Sequence, residues 1–144
     1  MKKYINLVLF FLLFSLFSLA SANDSDKLDS RASLDLNPSE KAAFLSEMRE
    51  MLSSIQKIMM GIGTENRELI IDAARYSGNR MARNTPESIK QKTPLAFKKI
   101  GSSTHMMFEE LVIRADVDDM STLATFTGEL MQKCVACHTL FKTN

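Results

Sequence analysis

The sequence predicts an all-α protein, an antiparallel up-down-up-down four-helix bundle. In four segments apolar residues recur at spacings of three and four, the period of an amphipathic helix. No segment alternates β-branched with polar residues over several positions, so we expect no strand. The connections between the helical segments are short, which favours antiparallel neighbours.

The first helix has a clear start signal. Asn37 suits the N-cap, Pro38 suits the first helical position, and Glu40 places a carboxylate in the first turn. The apolar stripe that follows is Phe44, Met48, Met51, Ile55, Ile58 and Ile62. Gly61 and Gly63 are expected to end this helix.

Three further helices are expected. The second is capped by Thr64 and runs to Asn84, since Pro86 stops it, and a connector with a helical turn leads on to Thr93. The third runs from Thr93 to about Ala115. The fourth follows the acidic residues 116–119, and its inward stripe is Met120, Leu123, Thr127, Leu130, Cys134, Cys137 and Phe141.

The N-terminus has the three parts of a secretory signal peptide. Lys2 and Lys3 give a positive start, residues 5–19 are an almost unbroken apolar run, and residues 20–22 are small. We expect cleavage after Ala22, hence export to the periplasm. The alternative is an uncleaved membrane anchor, because the apolar run approaches the length of a spanning helix.

The division of the chain follows from this signal. Residues 1–22 are the signal peptide, residues 23–37 form a polar, flexible lead-in, and residues 38–144 form one helical domain. The mature chain has 16 basic and 17 acidic residues and no basic stripe, so we expect no nucleic-acid partner. We also expect no stable membrane association once the signal is removed.

Cys134-Val135-Ala136-Cys137-His138 is a Cys-x-x-Cys-His motif, the pattern of c-type haem attachment. Residues three apart lie on one face of a helix, so both thiols can reach the two vinyl groups of one porphyrin. The adjacent histidine is then placed to bind the iron. The motif predicts one haem c, covalently bound through Cys134 and Cys137, with His138 as the proximal ligand.

Three other interpretations of the cysteines are weaker. A redox-active Cys-x-x-Cys pair belongs near a βαβ pattern, which this sequence lacks. A structural zinc site needs four ligands, and His105 is the sole histidine besides His138. A structural disulfide would leave His138 without a role.

A helical bundle with this motif in its last helix resembles the class II c-type cytochromes, the cytochrome c-prime group and its six-coordinate relatives. The resemblance covers about residues 38–141. It implies a non-enzymatic electron carrier that cycles between Fe(II) and Fe(III) and docks transiently with redox partners. The alternative that it implies is a five-coordinate protein that binds or senses NO or CO. Homodimers are common in this group.

The second axial ligand is expected in the first helix, which also resembles that of the b-type bundle cytochrome with its axial methionine. Met48 and Met51 both lie on the apolar stripe, and helical rise places Met48 nearer the level of His138. Met48 is therefore the expected ligand, with Met51 and His105 as alternatives. The resemblance implies that Phe108 packs against the porphyrin.

Overall fold

A computed structural model describes residues 29–144. The predicted signal peptide, residues 1–22, and residues 23–28 of the lead-in lie outside the described residues. The elements are β1 Ala32–Ser33, α1 Pro38–Gly63, α2 Arg67–Ser77, α3 Asn79–Asn84, α4 Glu87–Lys92, α5 Leu95–Val117, α6 Met120–Leu140 and β2 Phe141–Lys142. The described part of the chain is thus almost wholly helical, as predicted. Within residues 29–144, no helix combines the length and the apolar character needed to span a membrane.

The first helix begins as its sequence predicts. The Asn37 side chain accepts a hydrogen bond from the Glu40 backbone N–H at 3.0 Å, and the Glu40 carboxylate accepts one from the Asn37 N–H at 2.9 Å. This reciprocal pair is a capping box, which satisfies two backbone donors that the first turn leaves free. The same carboxylate accepts a hydrogen bond from the Lys92 ammonium at 2.6 Å, so α4 is tied to the start of α1.

The second helix differs from the prediction at its start. Thr64 is not its N-cap, because its hydroxyl donates to the Met60 carbonyl at 2.9 Å and closes the last turn of α1. The N-cap is Asn66, whose side chain accepts from the Leu69 N–H at 3.0 Å. Either side chain can cap a helix, and tertiary packing decides which one does.

The second helix also breaks where the sequence predicts continuity. Gly78 is extended, with φ −76° and ψ −150°, and separates α2 from α3. The Glu109 carboxylate of α5 accepts a hydrogen bond from the Asn79 N–H at 2.6 Å. A Cβ at position 78 would collide with that carboxylate, whose carbon would lie 2.7 Å away. Because Gly78 has no side chain, the Glu109 carboxylate can approach closely enough to accept the hydrogen bond from the first N–H of α3.

The long helices pack around two core clusters. Helix α1 packs against α2 and α6, and α5 packs against the same two helices. The first core cluster lies among these helices and consists of Ile55, Ile58, Ile70, Ala73, Ala74, Phe108, Leu111, Ala115, Leu123, Phe126 and Leu130. The second core cluster is smaller and consists of Leu34, Leu36, Phe44, Ile89 and Phe141.

Strands β1 and β2 join the two ends of the described unit, Arg31–Asn144, in a two-residue parallel sheet. Ala32 pairs with Phe141, and the Leu34 N–H donates to the Lys142 carbonyl at 3.0 Å. Leu34 and Leu36 are each only 3% exposed. The end of the segment that composition assigned to the lead-in is therefore packed into the second core cluster.

Candidate functional site

Cys134 and Cys137 lie three residues apart near the end of α6. Both are free thiols and both are half-buried. Cys134 packs against the first core cluster, and Cys137 packs against the second. The pair therefore bridges two apolar regions from a single helix face, as the spacing of three predicts.

The surroundings of these thiols raise their pKa values. Burial raises the pKa of Cys134, and burial together with the neighbouring Cys134 sulfur raises that of Cys137. Cys137 also lies in the last turn of α6, where the helix C-terminus disfavours negative charge. A redox-active Cys-x-x-Cys pair needs a lowered thiol pKa. Both thiols are therefore protonated at neutral pH, unlike those of a thiol oxidoreductase.

His138 follows in the last turn of α6 and is exposed. Its backbone carbonyl accepts a hydrogen bond from the Arg31 guanidinium at 3.2 Å. Within residues 29–144 its imidazole makes no hydrogen bond, so both ring nitrogens are available to a ligand. The segment before β1 thus holds the backbone of His138 without occupying its ring.

Met48 and Met51 are half-buried on α1. Met48 packs against the second core cluster, to which Cys137 also packs. Met51 packs against the first, together with Cys134. Both candidate distal ligands therefore lie on the same two clusters as the thiols, and Met48 shares its cluster with the cysteine next to His138.

Aromatic contacts at the second core cluster hold the Met48 region of α1 and the Cys137 region of α6 at the same height along the helices. Phe97 lies 5.7 Å from Phe44 and 5.4 Å from Phe141, measured between ring centroids. Met48 is four residues after Phe44, and Cys137 is four residues before Phe141. Each is therefore about one helical turn, roughly 6 Å, from the aromatic contact.

His105, the alternative histidine ligand, is buried elsewhere in the bundle. Its Nδ1 donates to the Ser77 carbonyl at 2.7 Å, at the end of α2. Its Nε2 lies 3.7 Å from Glu47 Oε1. These contacts join α1, α2 and α5, and none of them involves the Cys-x-x-Cys-His motif.

Glu47 belongs to a polar network that sequence reasoning missed. Burial raises the pKa of its carboxyl, although a hydrogen bond from the Thr85 hydroxyl at 3.1 Å opposes the rise. The Ser77 hydroxyl donates to Ser54 at 2.7 Å, and both serines are buried. The sequence does place polar residues at inward helical positions, but no sequence pattern shows which of them contact one another.

A groove of about 270 Å³ opens beside Glu47, between α1 and the α2–α3 segment.

Phe108 is fully buried in the first core cluster. Cys134 packs against the same cluster, so the predicted aromatic neighbour and the first thiol share one apolar region. No group of three or more His, Cys, Asp or Glu side chains suited to a metal ion occurs in the described range. A haem needs no such group, because its porphyrin binds the iron and the protein adds only axial ligands.

Comparisons of this chain with protein-family models, with curated proteins and with solved structures give no match. The functional assignment accordingly depends on the Cys-x-x-Cys-His motif and on the placement of its residues.

Proposed function

We propose that this protein is a periplasmic c-type cytochrome that carries one haem and transfers electrons. The observation that carries the proposal is the placement of Cys134 and Cys137. Both are free and half-buried on one helix face, and each packs against a different apolar cluster. An apolar macrocycle held between those clusters would be shielded from water. His138, next in the chain, has an imidazole that is exposed and free to bind iron.

The chemistry of the thiols suits covalent attachment. Each thiol would add across one vinyl group, so that sulfur bonds to the inner vinyl carbon and the thiol hydrogen passes to the outer carbon. This addition needs no oxidant and releases no leaving group, but it does need the two cysteines as free thiols. Bound haem then supplies one-electron Fe(II)/Fe(III) chemistry, which neither thiols nor imidazoles of this chain supply.

We propose that His138 and Met48 would bind the iron of this haem. His138 adjoins the second cysteine, and Met48 packs on the same core cluster as that cysteine. The alternative ligands, Met51 and His105, do not pack on the cluster that Cys137 contacts. Met51 shares its cluster with Cys134, which is farther from His138 in sequence. His105 is held by the Ser77 carbonyl and lies beside Glu47.

An up-down-up-down topology for α1, α2 with α3, α5 and α6 accompanies this assignment. Contacts near the Phe97 ring support it, because they join the beginning of α1, the beginning of α5 and the end of α6. At the opposite end the Arg67 guanidinium, at the start of α2, donates to the carbonyls of Ala115 and Asp118 at 2.5 and 2.9 Å.

Covalent attachment is the decisive test of this function. The full chain, with its N-terminal segment, should be produced in a bacterium that has a c-type maturation system and purified from the periplasm. We expect haem that stays with the polypeptide through denaturation and acid-acetone extraction. Cys134→Ala and Cys137→Ala should each change the pyridine haemochrome spectrum from that of two thioethers to that of one, or lose the haem.

Val135→Ala is the matched control, since it leaves Cys-x-x-Cys-His intact and Val135 is 65% exposed. It should retain haem like the wild type. Complete extraction of haem from the wild-type protein, or purified chain without haem, would contradict the proposal.

A further inference from the structure

Charged residues are unequally divided between the two ends of the bundle. We divide α1, α5 and α6 at their midpoints and assign α2 to one half and α3 and α4 to the other. The half with the Cys-x-x-Cys-His motif, residues 31–50, 79–105 and 130–144, has 11 basic and 5 acidic residues, a net charge of +6. The other half, residues 51–78 and 106–129, has 4 basic and 9 acidic residues, a net charge of −5.

Contacts between helices confirm that these sequence ranges meet in space. Phe97 contacts Phe44 and Phe141 within the basic half. In the acidic half, Arg67 reaches the carbonyl of Asp118. Residues 31–144 therefore have a charge dipole although their net charge, +1, is close to zero.

Exposed cations directly follow Phe97 in the chain, and we call the surface around the Phe97 contact the basic end face. Its residues are Arg31, Leu95, Lys98, Lys99 and Leu140. Lys41 belongs to the same half but is not counted here, because its ammonium donates a hydrogen bond to the Asn144 carbonyl. Lys98 and Lys99 are exposed and form no ion pair with any residue in the range 29–144. Leu95 and Leu140 are 66% and 51% exposed. A face with exposed apolar side chains and with the two cations Lys98 and Lys99 resembles the mixed composition of transient protein interfaces.

We propose that the basic end face docks an acidic partner protein. The inference rests on the proposed function, because the partner would exchange electrons through the haem-bearing end of the molecule. Charge complementarity selects the occupant: a partner with a carboxylate-rich surface would be steered by the dipole and oriented with the Cys-x-x-Cys-His end towards it.

Two other occupants fit the observations less well. A second copy could offer its acidic end, but head-to-tail contact of unlike surfaces builds rings or open chains instead of a two-fold dimer. An anionic membrane would suit a broader cationic surface, whereas Asp35, Glu40 and Glu87 lie within this half.

The test uses the full mature protein and a film of poly-L-glutamate on a gold-coated quartz crystal. Bound mass is measured by the crystal, and haem is detected by voltammetry of the same film. We expect binding at about 10 mM salt that is largely lost at about 150 mM, where the Debye length is near 8 Å. Lys98→Glu/Lys99→Glu should bind about tenfold more weakly.

The matched control is Lys57→Glu/Arg75→Glu, which makes the same change in charge at exposed positions of the acidic half. It should bind within about twofold of the wild type. Circular dichroism melts establish that both variants fold. If both variants bound poly-L-glutamate equally weakly, or if both bound it as tightly as the wild type, the proposed docking face would be wrong.

Two parallel measurements examine the other occupants. Tighter binding to phosphatidylglycerol vesicles than to poly-L-glutamate, dependent on Lys98 and Lys99, would overturn the proposal in favour of a membrane. Sedimentation that shows self-association dependent on the same lysines would overturn it in favour of a second copy. Bound mass that depends on these lysines, from protein without haem, would support the face and contradict the proposed cytochrome function.

Discussion

The rings of Phe97 and Phe141 meet edge to face, with centroids 5.4 Å apart and planes inclined by 86°. This contact joins the first turn of α5 to the residue that directly follows α6. Edge-to-face geometry places the positive edge of one ring on the negative face of the other. The end of the helix that carries Cys137 is thereby held against α5.

Phe97→Ala should lower the free energy of unfolding by about 2 kcal/mol, less than for a fully buried phenylalanine because Phe97 is half-buried. Urea denaturation at neutral pH measures the change. Leu95→Ala, in the same helix turn but 66% exposed, is the control and should stay within about 0.5 kcal/mol of wild type. Equal effects of the two substitutions would show that the aromatic contact contributes little.

Met48→Ala should change the spectrum of the holoprotein. If Met48 binds the iron, the wild type is six-coordinate and low-spin, while the variant becomes high-spin, binds carbon monoxide and has a lower reduction potential. Absorption spectra and potentiometric titration measure these changes.

Met51→Ala is the comparison, one turn along the same helix. It should lose about 2 kcal/mol of stability as a core truncation and keep the wild-type spectrum. The reverse pattern would assign the ligand to Met51. A wild-type protein that is already high-spin and binds carbon monoxide readily would instead assign this protein to gas binding.

Gly78→Ala and Gly128→Ala should have effects of opposite sign. An alanine Cβ at position 78 would displace the Glu109 carboxylate from the Asn79 N–H, which we expect to cost about 1 kcal/mol. Gly128 lies inside α6, and apart from its chain neighbours and the backbone of its own helix no atom lies within 4 Å of an added Cβ, so alanine should stabilise by about 0.5–1 kcal/mol. Thermal unfolding measures both.

A double-mutant cycle tests whether the destabilisation by Gly78→Ala comes from the Glu109 carboxylate. In a Glu109→Ala background, Gly78→Ala should lose most of its cost, because the displaced group is gone. An undiminished cost would show that the backbone of residue 78 itself, and not the Glu109 carboxylate, requires glycine.

Glu40→Gln should reduce the loss of stability in acid. The hydrogen bond from the Lys92 ammonium, followed by that from the Asn37 N–H, holds the pKa of Glu40 below its ordinary value of 4.5. A lowered carboxyl pKa stabilises the fold above that ordinary value, and this stabilisation is lost as pH falls through the folded-state pKa.

Urea midpoints at about pH 6 and about pH 3 measure the difference. The fall between them should be smaller in Glu40→Gln than in wild type. Glu129→Gln, an exposed position, is the control and should leave the fall unchanged. A fall of wild-type size in Glu40→Gln would contradict the role assigned to the Lys92 contact.

Local sequence patterns predicted much of the helical structure. The Asn37 cap and the start of α6 at Asp119 depend on residues within one turn, and both are as expected. The inward position of the two cysteines followed from the period of α6. The break at Gly78 could not be predicted, because the Asn79 N–H after it is bound by Glu109, thirty residues from Asn79. The His105 contacts likewise depend on the packing of three helices.

The segment that follows strand β1 had a weak signal of burial, which its polar composition obscured. Leu34 and Leu36 alternate around Asp35, which adopts a left-handed φ of 49° that aspartate tolerates better than most residues. Strand β1 itself has only two residues, too few for any alternation to be recognised, and its partner β2 lies at the far end of the chain.

The pairing of β1 with β2 sets an order of events during folding. Arg31 and His138 are 107 residues apart in sequence, so their contact closes a loop of almost the whole unit. Closing a loop of this length costs entropy, and prior packing of the intervening helices reduces that cost because it brings the two ends together. The two ends should therefore engage last, and until then the last turn of α6 would stay open to the maturation machinery that our proposal requires.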